Sequence, residues 1–301
     1  MLIGVDWGTT NVRAWLMDGS GTIVAHTRSE EGMMRVADGA YPATLARILA
    51  PFDNHEGAGE APILLSGMVG SRQGWHEAPY ASCPCHLGDL AAAALLVPDM
   101  DRDVAIVPGV AVGMEGGAFA DVMRGEETQV FGALHLMGRT AATLVLPGTH
   151  AKWVRVDSGA ITDFRTFMTG DVYAAVGGHT ILAKTLGTDS GNPGAFARGL
   201  DAAAGLVAPG DLLARLFSVR SEGLFDRLPP NDAASFLSGL LIGAEVRGAA
   251  GDAESVIIVG GAALTERYET AMAHFGIPTE RAPEDSTAKG QFLVAQARTD
   301  G

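Results

Sequence analysis

The sequence predicts an α/β protein built from two similar halves, and three observations carry that expectation. A short apolar run, Leu2 to Val5, leads through a Gly-Thr-Thr-Asn tip into Val12 to Met17, which alternates with period two, and then into a third strand-like run, Thr22 to His26. The same grammar returns 140 residues later, where Thr143 to Leu146, Lys152 to Val156 and Ala160 to Phe164 are separated by Pro147-Gly148-Thr149-His150 and Asp157-Ser158-Gly159. Between and after these two meanders, helical stretches alternate with short apolar runs.

The order strand, glycine tip, strand excludes the dinucleotide-binding and Walker fingerprints, whose glycines lie between a strand and a helix. The remaining elements follow in chain order. Pro42 to Ala50 has helical character, Ala61 to Leu65 reads as a strand, Leu87 to Leu96 as a helix, and Val104 to Val107 as a strand ended by Pro108-Gly109. Past the second meander, Val172 to Leu186 and Asn192 to Ala204 read as helices. A longer helix, Ala233 to Ala250, carries the small residues Ser238, Gly239 and Gly243, which suit either close helix packing or the border of a flat ligand. Val256 to Val259 is a buried strand that runs into Gly260-Gly261 and a helix from about Ala262 to Ala273. A short strand near Thr279 to Arg281 and a helix from about Thr287 to Arg298 complete the chain. No low-complexity linker interrupts this order, and the boundary is expected near residue 125, dividing 1–125 from 126–301.

Composition narrows the function. A length of 301 residues is enough for two cores, and a net charge of −14 argues against nucleic acid or an anionic membrane as partner. A small anionic ligand would need local help from arginines, backbone N–H groups or a metal. Two cysteines make no disulfide framework, no apolar run reaches about 18 residues, and Asp6 stands where a signal peptide would be apolar, so a reducing cytoplasm is the expected compartment. The segment "SCPCH" holds Cys83, Cys85 and His86 but has no second pair, which argues against structural zinc. A homo-oligomer is left open.

Each glycine-threonine tip offers backbone N–H groups and a hydroxyl, the equipment for phosphate oxygens. Asp6, at the carboxyl end of the first strand, is placed to organise Mg²⁺ through retained waters. Either tip alone reads equally as an ordinary turn; the pair of them favours the ligand-binding reading.

The segments "GVDWGTTNVRAWL", "SGMVGSRQGWHEAPY", "VMRGEETQVFGAL", "LPGTHAKWV" and "FLSGLLIGAEV", spread over residues 4 to 247, resemble the 2-dehydro-3-deoxygalactonokinases. The resemblance implies two ribonuclease-H-like domains of the actin and hexokinase type, with mixed sheets and an interdomain cleft. It further implies transfer of the ATP γ-phosphoryl group, with Mg²⁺, to the 6-hydroxyl of 2-dehydro-3-deoxy-D-galactonate. Under it, Gly8, Thr9, Thr10 and Asn11 form the first phosphate loop with Asp6 near the metal. Gly148, Thr149 and His150, with Lys152 behind them, form the second, and Gly260 and Gly261 admit adenosine and the α-phosphate.

Related carbohydrate kinases carry a catalytic aspartate about twenty residues before the second loop. Here "RGEETQ" puts Glu126 at that position, 22 residues before Gly148, with Glu127 adjacent as the alternative base. A purely structural role for both, as acids in a first helical turn, stays open. Asp171 is read as a helix cap, with the base role as its alternative. Lys152 reads as a phosphate contact or as a solvent-facing strand residue. For the substrate carboxylate the candidates are Arg35, Arg72 and Arg165, with Gly67 and Trp75 in the glycine-rich loop around Arg72 completing the sugar site. Two other readings remain at this point: a kinase of another sugar acid or ketose, and a nucleotide or sugar sensor without catalysis.

Overall fold

The computed structural model describes residues 1–98, 100–116, 119–208 and 210–300. The chain opens with strands β1 (Leu2–Trp7), β2 (Val12–Met17) and β3 (Ile23–Ser29), then helix α1 (Tyr41–Leu49), β4 (Ile63–Ser66), β5 (Tyr80–Ser82), α2 (Leu87–Ala92), β6 (Leu95–Leu96), β7 (Val104–Ile106), β8 (Gly109–Val112), β9 (Asp121–Met123) and α3 (Glu126–Met137). It continues with β10 (Ala142–Leu146), β11 (Ala151–Asp157), β12 (Ala160–Phe167), α4 (Thr169–His179), α5 (Pro193–Ala204), α6 (Asp211–Leu216), α7 (Ser218–Leu224) and α8 (Pro230–Ala249). Strand β13 (Val256–Ile258), α9 (Ala262–His274), β14 (Thr279–Arg281) and α10 (Ser286–Asp300) follow.

The duplication read from the sequence is a duplication of sheet topology. One sheet has the order β3-β2-β1-β4-β7-β6 and the other β12-β11-β10-β13-β14. In the first, β1 pairs antiparallel with β2 and parallel with β4, and β4 pairs parallel with β7. In the second, β10 pairs parallel with β13 and β13 parallel with β14. Both sheets are mixed, and the fold is the α/β one that the sequence predicts. Strand β1 is apolar throughout its first four residues because a central strand is covered on both faces; Leu2, Ile3 and Val5 are buried. Helix α1 starts with Pro42 in its first turn and lays Tyr41, Leu45, Ile48 and Leu49 against the core that Ile3, Val5, Trp7 and Leu65 build.

Two compact units result, one from Met1–Ala142, Val154–Phe164 and Ala282–Gly301, the other from Thr143–Trp153 and Arg165–Arg281. The division therefore does not fall at one point near residue 125. Helices α3 and α10 lie past that point yet belong to the first unit, because they approach each other at backbone distance: a Cβ on Gly132 would sit 1.8 Å from the Ser286 carbonyl oxygen and one on Gly290 1.8 Å from that of Thr128. In the second unit α5 and α8 cross in the same way through Gly199 and Gly239, each of which would place a Cβ about 2 Å from a carbonyl oxygen of the other helix. That resolves the reading of the small face: Gly239 and Gly243 serve helix packing against Phe196, Leu200 and Ala203.

Two elements differ from expectation. The helix expected over Leu87 to Leu96 ends at Ala92, and Leu95 and Leu96 pair with the edge of β7, which offers unused backbone groups. The helix expected over Val172 to Leu186 ends at His179, because Thr180 is extended and its hydroxyl accepts the Leu182 N–H at 3.1 Å, starting a separate 3₁₀ turn over Ile181–Lys184. The small β5-β8-β9 sheet and the helices α6 and α7 were not anticipated; strands of three or four residues give no period to read.

Gly290→Ala should destabilise the protein by about 1–3 kcal/mol through overpacking, measured by urea unfolding, whereas Gly148→Ala, whose Cβ would meet nothing within 4 Å, should stay within about 0.5 kcal/mol of the parent.

Candidate active site

In the β1–β2 hairpin the Gly8 N–H donates to the Asn11 carbonyl at 2.9 Å, so residues equally far back from this tip face one another. Asp6 therefore stands opposite Arg13, and parallel pairing of β1 with β4 sets it beside Ser66. The Arg13 guanidinium holds the Asp6 Oδ2 from Nη2 at 2.6 Å and from Nε at 3.2 Å, and also reaches the Thr287 hydroxyl at 3.4 Å. The tip lines a pocket together with Asp6, Arg13 and Arg28.

The tip is oriented by the segment that follows β3. The carbonyls of Gly8, Thr9 and Thr10 accept the N–H groups of Met33, Met34 and Gly32 at 3.0, 3.1 and 3.2 Å. A trans peptide points its N–H away from its C=O, so the N–H groups of Thr9, Thr10 and Asn11 are turned to the opposite side. Successive N–H groups so aligned form an anion-binding concavity. Gly32 is needed for this, since a Cβ there would lie 2.2 Å from the Thr10 carbonyl carbon. Trp7, buried between Asp6 and Gly8, secures the same segment: its indole N–H donates to the Glu31 carbonyl at 3.1 Å.

Two glycines bring the start of α3 to the end of β1. Gly67, after β4, has φ +91°, and a Cβ on it would meet the Trp7 carbonyl oxygen at 2.9 Å and the Asp6 Oδ1 at 3.2 Å. Gly125, before α3, has φ +107°, and its Cβ would touch the Gly67 Cα at 3.0 Å. Both conformations favour glycine. The start of α3 is thereby placed next to the end of β1, with Glu126 first in the helix.

The two glutamates at that start are in different surroundings. Glu126 is half-buried and its Oε2 accepts the Arg124 N–H at 3.0 Å. Glu127 is fully buried, and both of its oxygens accept the Gly125 N–H, at 2.7 and 2.9 Å. Burial, helped by the neighbouring Glu126 charge, pushes the Glu127 carboxyl up to about 8. The carboxyl next to the expected base is thus predominantly neutral near pH 7.

The expected substrate residues are not equally placed. Arg35 and Arg72 are exposed and hold only surface partners, Glu30 at 3.0 Å and Glu77 at 3.4 Å, which contribute little to stability. Trp75 stacks on Tyr41 with ring centroids 5.7 Å apart and planes 6° from parallel, and Tyr41 meets Trp7 edge-on at 5.6 Å. One face of its indole is therefore used by the core. Arg165 lies in the other unit, where it donates to the Gly248 carbonyl at 2.9 Å and closes the end of α8, a structural use the sequence did not suggest.

In the second unit the tip Gly148–His150 is docked on the first turn of α4. The Asp171 N–H donates to the Thr149 carbonyl at 3.2 Å, and the Asp171 Oδ2 lies 2.6 Å from His150 Nε2. Gly170 allows that approach, since a Cβ on it would be 2.6 Å from the Thr149 Cα. Asp171 is thus the third residue of a helix capped by Met168 and not its N-cap. Lys152 is not solvent-facing: it is buried, and its ammonium donates back to the His150 carbonyl at 3.0 Å.

Gly260 and Gly261 lie between β13 and α9, with Gly261 as an N-cap that has no capping side chain. A Cβ on Gly261 or Gly148 would meet no protein atom within 4 Å, so neighbouring packing does not require glycine at either position. Nearby, the Thr265 hydroxyl is buried without a hydrogen-bond partner and lies 3.9 Å from where a Gly260 Cβ would be. An approaching ligand would use such open backbone and such an orphaned hydroxyl.

The donor set also tests the metal. Among the described residues no group of three or more His, Cys, Asp or Glu forms a cage. Asp6, with one oxygen on Arg13, fits a cation that keeps its waters and takes its remaining ligands from phosphate. Sequence reasoning missed Arg13, Gly32 and Thr265. Arg13 was legible from hairpin symmetry about the tip, whereas the partners of Gly32 and Thr265 depend on tertiary contacts.

The family model described as 2-keto-3-deoxy-galactonokinase matches residues 6–294. The 2-dehydro-3-deoxygalactonokinase of Escherichia coli (strain K12) is 37% identical over 277 residues, covering 91% of this chain and 90% of its own. A Sinorhizobium meliloti protein of solved structure, provisionally named a 2-dehydro-3-deoxygalactonokinase, superposes with a TM-score of 0.89 at 35% identity over 100% of this chain and 99% of that one. Component A of the Acidaminococcus fermentans (R)-2-hydroxyglutaryl-CoA dehydratase, at TM-score 0.53 and 15% identity over 98% of both chains, shares the fold. No helix among the described residues is long and apolar enough to cross a membrane.

A carboxyl raised in the folded state favours folding below its unfolded value, here 4.5, and loses that contribution as pH rises through about 8. Glu127→Gln should therefore gain stability relative to the parent between those values, by up to about 1.4 kcal/mol per pH unit, in thermal unfolding followed from pH 5 to 8.5.

Proposed function

The chain belongs to the 2-keto-3-deoxy-galactonokinase family, and from that premise we propose that it transfers the γ-phosphoryl group of ATP to the 6-hydroxyl of 2-dehydro-3-deoxy-D-galactonate, giving the 6-phosphate and ADP. One observation carries this reading: three consecutive carbonyls of the Gly8–Thr10 tip are drawn onto residues 32–34, which leaves the opposite N–H groups as a phosphate cradle beside Asp6 and Glu126.

Phosphoryl transfer needs positioning and charge neutralisation more than covalent chemistry. In the first unit Gly8, Thr9, Thr10 and Asn11 offer backbone and hydroxyl groups to phosphate oxygens; in the second unit the tip Gly148–His150, backed by the Lys152 ammonium, offers a separate set of the same kind. Gly260, Gly261 and Thr265 border the adenosine end. Asp6 would hold Mg²⁺ with the ion's waters retained, and the ion would supply neutralisation of phosphate charge. Glu126 accepts the proton of the 6-hydroxyl as its oxygen attacks phosphorus; Glu127 does not, because its carboxyl is fully buried and already carries a proton near neutral pH. Arg35 and Arg72, whose present partners are exposed glutamates, exchange them for the substrate carboxylate. The same reading places the enzyme in the cytoplasm, where Cys83 and Cys85, free and raised by burial to about 11 and about 12, stay as thiols.

ADP release measured across a panel of 2-keto-3-deoxy acids and ketoses should be fastest with the galacto acid. Glu126→Gln should lower kcat by about 10²–10⁴-fold with KM for both substrates changed little. Near-parental turnover of Glu126→Gln would remove the base assignment, and an idle panel would remove the substrate.

A further inference from the structure

The longest helix of the second unit buries a carboxylate that no role above uses. Glu245, on α8, is 3% exposed, and every oxygen it has is occupied. Its Oε1 accepts the Trp153 indole N–H at 2.8 Å and the Tyr268 hydroxyl at 2.9 Å; its Oε2 accepts the same Tyr268 hydroxyl at 2.9 Å and the Thr169 hydroxyl in a very short contact. Burial raises its pKa, and the hydrogen bonds from Thr169, Trp153 and Tyr268 oppose that rise. A carboxylate taken out of water is costly unless such donors surround it, so the arrangement holds only while all its elements keep their places.

Those elements are the ones that set the second tip. Trp153 follows Lys152 on β11, at the foot of the hairpin. Thr169 is the first residue of α4, immediately before Gly170 and Asp171, which seat the tip through Thr149 and His150. Tyr268 stands on α9, the helix that begins after Gly260-Gly261. One buried group on α8 thus fixes three separate elements, while the side-chain pair at the tip is exposed: the His150 and Asp171 side chains are 51% and 41% accessible, and such a pair alone would hold a loop weakly.

We propose that Glu245 is the positioning residue for the Gly148–His150 tip, acting through the Thr169 hydroxyl on the first turn of α4. It touches no reacting atom; it fixes where the tip's N–H groups stand. The use of that tip for nucleotide phosphate rests on the function proposed above, but its positioning by Glu245 does not.

Thr169→Val keeps the volume and removes the link, and Thr169→Ser restores it. Amide hydrogen exchange in the free protein should quicken roughly tenfold over residues 148–153 and 170–172 in the valine variant and return to the parental rate in the serine variant, with other segments of the unit unchanged. Calorimetric titration with ATP should show a matching loss of affinity, and KM for ATP should rise while KM for the sugar acid holds. Unchanged exchange at the tip in the valine variant, or faster exchange spread over the whole unit, overturns the proposal. Faster exchange confined to the tip with unaltered ATP affinity supports the positioning and instead removes the tip from the phosphate site.

Discussion

A trans peptide bond sets its N–H and its C=O on opposite sides, and the first phosphate-type tip depends on that constraint. Fixing three carbonyls fixes three N–H groups without touching them. The segment Gly32 to Met34 does this, and it is in turn held by the Trp7 indole on Glu31, by the aromatic series Trp7, Tyr41 and Trp75, and so by α1 and the core beneath. An anion site made of side chains would carry standing charge; one made of oriented backbone keeps its place whether or not phosphate is present, and it suits a chain whose formal net charge is −14.

The acids show the same economy by environment. Glu126 and Glu127 are neighbours of one chemical type, but the first turn of α3 leaves one half-buried, its Oε2 on the Arg124 N–H, and buries the other completely. Burial raises the Glu127 carboxyl to about 8 and so keeps its proton near neutral pH, a difference in surroundings that adjacent residues in an unstructured chain would not have. Glu245 is a third case, where a buried carboxyl keeps its donors and serves architecture.

Much of this was legible in the sequence because the informative signals were local. Period-two alternation gave both meanders, the 140-residue offset gave their duplication, and the observed sheets repeat one strand order. What failed to show was whatever depends on contacts far along the chain. Trp75 looks ligand-facing in sequence, but the ring of Tyr41, 34 residues earlier, takes up one face of it, and Lys152, which looks solvent-facing, is buried in the folded unit. Arg165 reads as an anion anchor until the end of α8 is found beside it. Asp171 precedes an apolar helical run as caps do, yet the helix begins two residues earlier, because Thr169 is held by Glu245, 76 residues away. Of Gly239 and Gly243 the sequence told only that something comes close, and the partner proved to be a helix.

Helix α10 carries one more implication. Its Gln291 amide donates to Ser66 at 2.8 Å, its Thr287 hydroxyl meets Arg13 at 3.4 Å, and its Gly290 lies against the Thr128 backbone of α3. These contacts complete the unit that begins at residue 1. During synthesis the first sheet therefore emerges long before the helix that covers it, and it waits through the making of the entire second unit with apolar surface uncovered. The order of the fold in space runs against the order of the chain in time, and a helix made only after the second unit closes a core whose strands were made before it.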